Sequence, residues 1–267
     1  MPTAARSPGH TLATRLAART LHGMRIDVRF YGDLADLAGE ALVTAPMGEP
    51  RSVKDLIESV GVPHPEVALI LVDDQPVDFD HLVVGGERVA VYPPFHELAP
   101  SSAVSVLPDP IAPRFVLDVH LGTLTRRLRL LGFDCWYRND TEDAELAQVA
   151  VEEQRILLTR DRQLLMRRVI AHGYGPRSSD PDTQALEVIR RYDLAARIAP
   201  FSRCVNCNGE VAPVAKVDVI DELPSRTREA FDDFVRCCGC RQVYWPGSHL
   251  EAVDGFLSRV RSEARTG

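Results

Sequence analysis

From residue 114 to residue 192 short apolar runs alternate with helical patterns, and few architectures can absorb that alternation. FVLDV leads into a segment that places Leu121, Leu124, Leu128 and Leu131 on one helical face and is closed by Gly132. FDCWYRN then reads as a second strand, TEDAELAQVAVEEQ as a second helix and RILLTR as a third strand. DRQLLMRRVIAHG predicts a third helix and PDTQALEVIRRY a fourth. Strands separated by helices of this length form βαβ units, so the fold class is α/β with a parallel sheet covered on both faces.

Open parallel sheets bind ligands beyond the carboxyl ends of their strands. Asp118 stands at that edge after Phe115, Val116 and Leu117, and Asp161 stands there after Ile156, Leu157 and Leu158. Glu142, Asp143 and Glu145 open the second helix, and Asp180 and Asp182 open the fourth. Asp161 and Asp180 also make good helix caps, the latter with Pro181 in the first helical position. Asp143 and Glu145 would favour a helix N-terminus in any case. Asp118, inside an apolar strand-like run, has no such explanation. Carboxylates gathered on one edge suit one or two Mg²⁺ or Mn²⁺ ions, which activate water against a phosphodiester. Arg126, Arg127, Arg160 and Arg162 lie near the same strand ends, where they could hold phosphates or simply face solvent.

Six cysteines in this chain do not spell a disulfide scaffold. Cys204-Val-Asn-Cys207 and Cys237-Cys-Gly-Cys240 are two knuckles with 29 residues between them, and paired knuckles supply the four ligands of a tetrahedral zinc. Four thiolates close the coordination sphere, so one structural Zn²⁺ is expected, with a redox pair or disulfides as the alternative. The spacing suits a ribbon with an inserted helix near residues 225–234. Cys135 reads as a core thiol, while Cys238 and His249 are spare ligands. Tyr244 and Trp245 either build the ribbon's small core or stack on an unpaired base. Ser248 with Glu251 caps a last amphipathic helix through Leu250, Val253, Leu257 and Val260.

Ahead of residue 114 the pattern changes. LAPSSAVSVLPDPIAP, residues 98–113, has no periodicity and reads as a linker. Before it, Met24–Phe30 alternates as a half-buried strand, EALVTAP pairs with it, and Ser52 with Asp55 opens a short helix that stops near Gly61. EVALILVDDQPV and GGERVAVYPPF add strands, giving the order β-β-α-β-β. The first 23 residues carry Arg6, Arg15 and Arg19 and no acid; they read as a disordered leader with Met24 as an alternative start. No apolar run reaches the ~20 residues that span a bilayer. The formal net charge of −7 comes mainly from residues 24–100, with 5 Lys and Arg against 14 Asp and Glu; residues 114–203 carry 15 against 13. The middle of the chain can therefore take a polyanion despite the total.

MRIDVRFYGDLADLAG and VVGGERVAVYPPF resemble the ubiquitin-like β-grasp sulfur carriers of molybdopterin and thiamin synthesis. Those carriers react through a free C-terminal Gly-Gly, whereas Gly85 and Gly86 are internal here, so docking of a protein partner or an autoregulatory role is the expectation. FVLDVHLGTLTRRLRLLGFD, DAELAQVAVEEQRILLTRDRQLL, SSDP and the cysteine region resemble the mut-seven C-terminal ribonuclease family, a PIN-like nuclease domain with an appended zinc ribbon. That resemblance implies a metal-dependent ribonuclease acting on RNA, and a cytoplasmic location is expected. Asp118 and Asp161 match acids of its active site, Asp143 or Glu145 supplies a third and Asp180 a fourth. The expected organisation is a leader (1–23), a ubiquitin-like domain (24–97), a linker (98–113), a PIN-like domain (114–200), a ribbon (201–247) and a C-terminal helix and tail (248–267). The rivals are a non-catalytic RNA-binding or ribosome-associated module, an interaction protein working through the β-grasp part, and a DNA nuclease.

Overall fold

The computed structural model describes residues 24–94, 105–108, 111–245, 255–256, 258–260 and 262. The expected leader and most of the expected linker lie outside them, as do Ser248, His249, Leu250, Glu251, Val253 and Leu257. The chain divides into two compact units, Met1–Pro108 and Asp109–Gly267. Among the described residues no helix is long and apolar enough to cross a membrane.

In the first unit the period-2 pattern of the sequence becomes a sheet with one buried face. β1 (Met24–Phe30) buries Ile26, Val28 and Phe30 and exposes the residues between them. After α1 (Leu34–Ala38), β2 (Leu42–Met47) returns antiparallel to it. β3 (Arg51–Ser52) runs into α2 (Val53–Ser59), where Ser52 Oγ accepts from the Asp55 amide at 3.1 Å, the cap read from the sequence. β4 (Leu69–Val72) and β5 (Gln75–Pro76) form a tight hairpin through Asp73 and Asp74, both at positive φ. β6 (Leu82–Val83) pairs with β3, and β7 (Arg88–Tyr92) lies parallel to β1. The order β2-β1-β7-β4-β5, with α2 packed on it, is the ubiquitin-like β-grasp.

Gly85 and Gly86 sit at φ +107° and +89°, and the Glu87 carboxylate accepts from the amides of Val84 and Gly85. They form a turn locked inside the domain. The linker is not featureless throughout: the Val106 amide donates to Ala68 O, and Val106 packs on this core.

The second unit is built on four parallel strands in the order β11-β10-β8-β9. β8 (Arg114–Leu117) leads through one 3₁₀ turn into α3 (Gly122–Leu130), then come β9 (Asp134–Trp136) and α4 (Asp143–Glu152). β10 (Ile156–Leu158), α5 (Arg162–Leu165), β11 (Gly173–Tyr174) and α6 (Pro181–Arg191) complete the alternation. Successive strand residues serve opposite faces. Phe115, Leu117, Ile156 and Leu158 pack on α3 and α6, while Val116 and Leu157 pack on α4 and α5. Phe256 and Val260 from the C-terminal segment join the first of these clusters.

The expected third helix is cut to the four residues of α5. Ile170 turns back into the core, and Gly173 enters the sheet so close to α5 that a Cβ there would meet Leu165 Cδ2 at 2.7 Å. The ribbon follows as β12 (Val211–Val214), α7 (Ser225–Ala230), β13 (Phe234–Cys237) and β14 (Val243–Tyr244), with the three strands antiparallel. Its small core is Val219, Leu223, Phe234 and Val243, with Trp245 packed against it.

Candidate active site and metal centre

The four strands run parallel, so their carboxyl ends share one edge of the sheet, and the sequence-predicted acids follow those ends in the chain. Each of the four parallel strands is followed by one: β8 by Asp118, β10 by Asp161, β9 by Asp143 and Glu145, β11 by Asp180. Their environments differ sharply. Asp118 is 7% exposed, caps no helix amide and makes no ion pair among the described residues. Its Oδ2 accepts from Thr159 Oγ1 at 2.6 Å, and Thr159 Oγ1 in turn accepts from the Asp161 amide at 3.0 Å. One buried hydroxyl therefore links the two carboxylate positions on adjacent strands.

The other acids are engaged. Asp161 Oδ1 caps α5, accepting from the amides of Gln163 and Leu164 at 2.7 and 3.4 Å. Asp180 Oδ1 accepts from the Thr183 amide and hydroxyl at 2.9 and 2.7 Å; these bonds hold its carboxyl below the ordinary value. Asp143 faces Arg167 at 3.5 Å, and Glu145 pairs with Arg138 at 2.8 Å. The Asp143–Arg167 pair joins the connection after β9 to the one after β10. Among the described residues, the acids form no group of three with ligand oxygens inside 4.8 Å; that description belongs to the cysteines alone.

Of the four predicted phosphate-binding arginines, Arg126 and Arg160 are exposed and make no ion pair among the described residues. Arg162 is exposed as well. Arg127 is committed elsewhere: its Nε lies 2.5 Å from Asp182 Oδ1, and its guanidinium sits over the Phe256 ring.

Cys204, Cys207, Cys237 and Cys240 bring their four sulfurs within 4.8 Å of one another. The Cys204–Cys240 and Cys207–Cys237 separations are 3.6 and 3.4 Å. A tetrahedron of ~2.3 Å Zn–S bonds puts its sulfurs ~3.8 Å apart, so the group could hold a zinc ion. Cys237 Sγ accepts from the Gly239 and Cys240 amides, as the turn of a knuckle requires. Four crowded thiols cannot all ionise unaided. Burial raises the Cys207 thiol, yet the Gly209 amide and neighbouring thiols bring it down to about 6. The Gln242 amide lowers the Cys240 thiol, but burial and its neighbours push it up to about 12. Exposed Cys238 stays outside the group, and buried Cys135, its thiol pushed up by burial, is the expected core thiol.

The residues that join the ribbon to the sheet carried no recognisable signal in the sequence. Arg129, only 5% exposed, donates through Nε and Nη2 to Cys135 O and through Nη1 to Val205 O and Asn206 O inside the first knuckle. Asn208 completes the seam: its Oδ1 accepts from the Cys135 amide at 2.9 Å and its Nδ2 donates to Asp134 Oδ1 at 2.8 Å. Cys135 lies on β9, an edge strand, so the ribbon occupies hydrogen-bonding positions that the sheet leaves open. Arg155 pairs with the same Asp134 oxygen at 2.8 Å.

The family model described as Mut7-C RNAse domain matches residues 113–257, and the one described as Mut7-C ubiquitin matches residues 23–99. Among solved structures, the H. volcanii small archaeal modifier protein 1 is 17% identical, covering 27% of this chain and 100% of its own, with a TM-score of 0.24. A putative molybdopterin converting factor subunit 1 from Pyrococcus furiosus is 24% identical with the same coverage and TM-score. No curated protein matches the chain.

Proposed function

The chain belongs to the Mut7-C RNAse domain family, and on that premise we propose that it is a metal-dependent ribonuclease whose centre is Asp118. The observation that carries this reading is a buried carboxylate with a single hydroxyl partner and no cation among the described residues. A buried carboxylate without a cationic partner suits a metal ion as its counter-charge. Hard carboxylate oxygens suit Mg²⁺ or Mn²⁺, with Asp118 and Asp161 as the holding pair. Asp143 or Glu145 and Asp180 would complete the shell from the neighbouring connections. Such an ion, when bound, polarises the phosphodiester and lowers the pKa of water.

The protein's own groups do the rest. Thr159 fixes the rotamer of Asp118 and spaces it from Asp161. Arg126 and Arg160, both exposed, hold phosphates of the incoming strand. Hydrolysis on this plan leaves a 5′-phosphate and a 3′-hydroxyl. The four cysteines hold one structural zinc, whose closed sphere keeps it out of the reaction. The β-grasp unit, its Gly85-Gly86 folded into a turn, docks a protein partner rather than carrying sulfur.

Asp118→Asn tests the central assignment. RNA cleavage in Mg²⁺ or Mn²⁺ should vanish while circular dichroism and zinc content match the wild type; wild-type cleavage by this variant removes Asp118 from the mechanism. A second reading, RNA binding without cleavage, draws on the capping bonds that already engage Asp161 and Asp180. It predicts RNA affinity indifferent to added Mg²⁺ or Mn²⁺ and no cleavage of any RNA.

A further inference from the structure

The ribbon carries an open cavity of about 400 Å³, lined by Phe201, Val214, Asp232, Asp233, Tyr244 and Trp245 among others. That volume lies in the range of small-molecule pockets, ~300–1,000 Å³. Its aromatic walls are partly fixed by one another, since Trp245 packs on Phe234, which also lines the cavity, with centroids 6.5 Å apart. Phe201 is different. It belongs to none of the buried clusters, is 37% exposed, and adopts φ +61°, a left-handed conformation that bulky residues rarely take. Its amide donates to Leu130 O, and the Ala199 amide donates to Leu131 O, so the end of α3 holds this residue in place over the ribbon.

The polar groups narrow the choice of occupant. Asp232 is paired with Lys216 at 2.9 Å, whereas Asp233 is exposed and has no partner among the described residues. Carboxylates repel a phosphate backbone, so the cavity is no groove for the chain of a nucleic acid. They accept from N–H groups, and flat apolar walls stack with rings. A guanine base presents an imino and an amino N–H side by side, matching the two oxygens of one carboxylate.

We propose that this cavity is a subsite for an unpaired guanine of the RNA, stacked among Phe201, Tyr244 and Trp245 and read by Asp233. The proposal rests on RNA being the substrate but uses none of the acids assigned to cleavage.

The test is fluorescence anisotropy of the full chain, without added Mg²⁺ or Mn²⁺, with a short oligouridylate and the same oligomer bearing one central guanosine. The guanosine-containing RNA should bind roughly tenfold tighter, and Asp233→Ala should abolish that preference. Phe201→Ala should weaken binding of the guanosine-containing oligomer by roughly 5- to 100-fold. Both side chains are exposed, so neither variant is expected to unfold. Equal affinity for the two oligomers, or a preference that survives Asp233→Ala, overturns the proposal. So does quenching of tryptophan fluorescence by tetramethylammonium with no response to guanosine, which would make the cavity a cage for cations. Failure here with cleavage still lost in Asp118→Asn sinks only the subsite, and a guanosine preference without any cleavage sinks only the nuclease.

Discussion

Replacing Arg129 with methionine keeps most of the aliphatic stem and removes the fork of donors. Three carbonyls lose their partner at once: Cys135 O, with bonds of 3.2 and 2.9 Å, Val205 O at 3.2 Å and Asn206 O at 2.8 Å. A hydrogen bond from a charged donor contributes ~1.5–3 kcal/mol, and a buried acceptor left empty costs about as much. Cys135 is fully buried and should bear that whole cost, whereas water can reach half-buried Val205 and exposed Asn206 and offset part of it. The expected loss is therefore about 3–5 kcal/mol, or about 6–20 °C in melting temperature for a unit of this size. Both tryptophans of the chain, Trp136 and Trp245, lie in the second unit, so urea unfolding followed by their fluorescence reads that unit alone. Zinc release to a chromogenic chelator, followed in parallel, should show metal affinity reduced ~10- to 100-fold, because the Val205 and Asn206 carbonyls lie inside the first knuckle. Arg129→Lys keeps the charge without the fork and should recover less than half of the stability. A loss under ~1 kcal/mol for Arg129→Met, with unchanged zinc release, would refute the argument and leave the knuckle held by its sulfurs alone.

Thr159→Val preserves shape but removes the hydroxyl between Asp118 and Asp161; about 1–3 kcal/mol of stability and at least ~10-fold in cleavage should go with it. An unchanged cleavage rate would show that Asp118 is oriented by something else. At Asp134 burial raises the carboxyl's pKa, but hydrogen bonds from Arg155 and Asn208 outweigh it and hold the group below 3.8. A lowered folded value means that the contribution is full above pH 3.8 and drains away as pH falls toward the folded value. Asn208→Ala should therefore raise the Asp134 value in a carboxyl NMR titration and move acid unfolding to higher pH; an unmoved midpoint would discount this carboxylate. Gly132→Ala places a Cβ 2.3 Å from Ala199 O at φ +95°, and a thermal melt should show a loss of about 2–4 kcal/mol unless residues 199–202 yield.

The sheet was largely legible because both of its signals are local. Phe115 and Leu117 against Val116 is a period of two, and Leu121, Leu124, Leu128 and Leu131 is a helical stripe; the structure buries every one of them. Ser52 and Gly132 were readable for the same reason, since a cap or a helix stop involves neighbours in the chain. The third helix is shorter than its pattern. MRRVIAHG continues a helical pattern, but pairing of Gly173 beside Leu157 on β10 competes with helix and wins. A two-residue strand such as β11 has no period to detect.

Among the acids, spacing put each of them in the chain after the carboxyl end of a strand, yet it could not separate buried Asp118 from Asp180, which already bonds twice to Thr183. Four cysteines in two knuckles announced themselves because each knuckle spans one turn. Arg129 did not, because its partner Asn206 lies 77 residues away, and Asn208 lies 74 residues from Asp134. Periodicity, caps and knuckles are written by residues within a turn or two of one another, and so the elements and the two cysteine knuckles follow from the sequence itself. Which charges end up buried, which are already spent on caps, and how the ribbon is fastened to β9 depend on atoms that meet only after the chain has closed, and only the folded structure decides them.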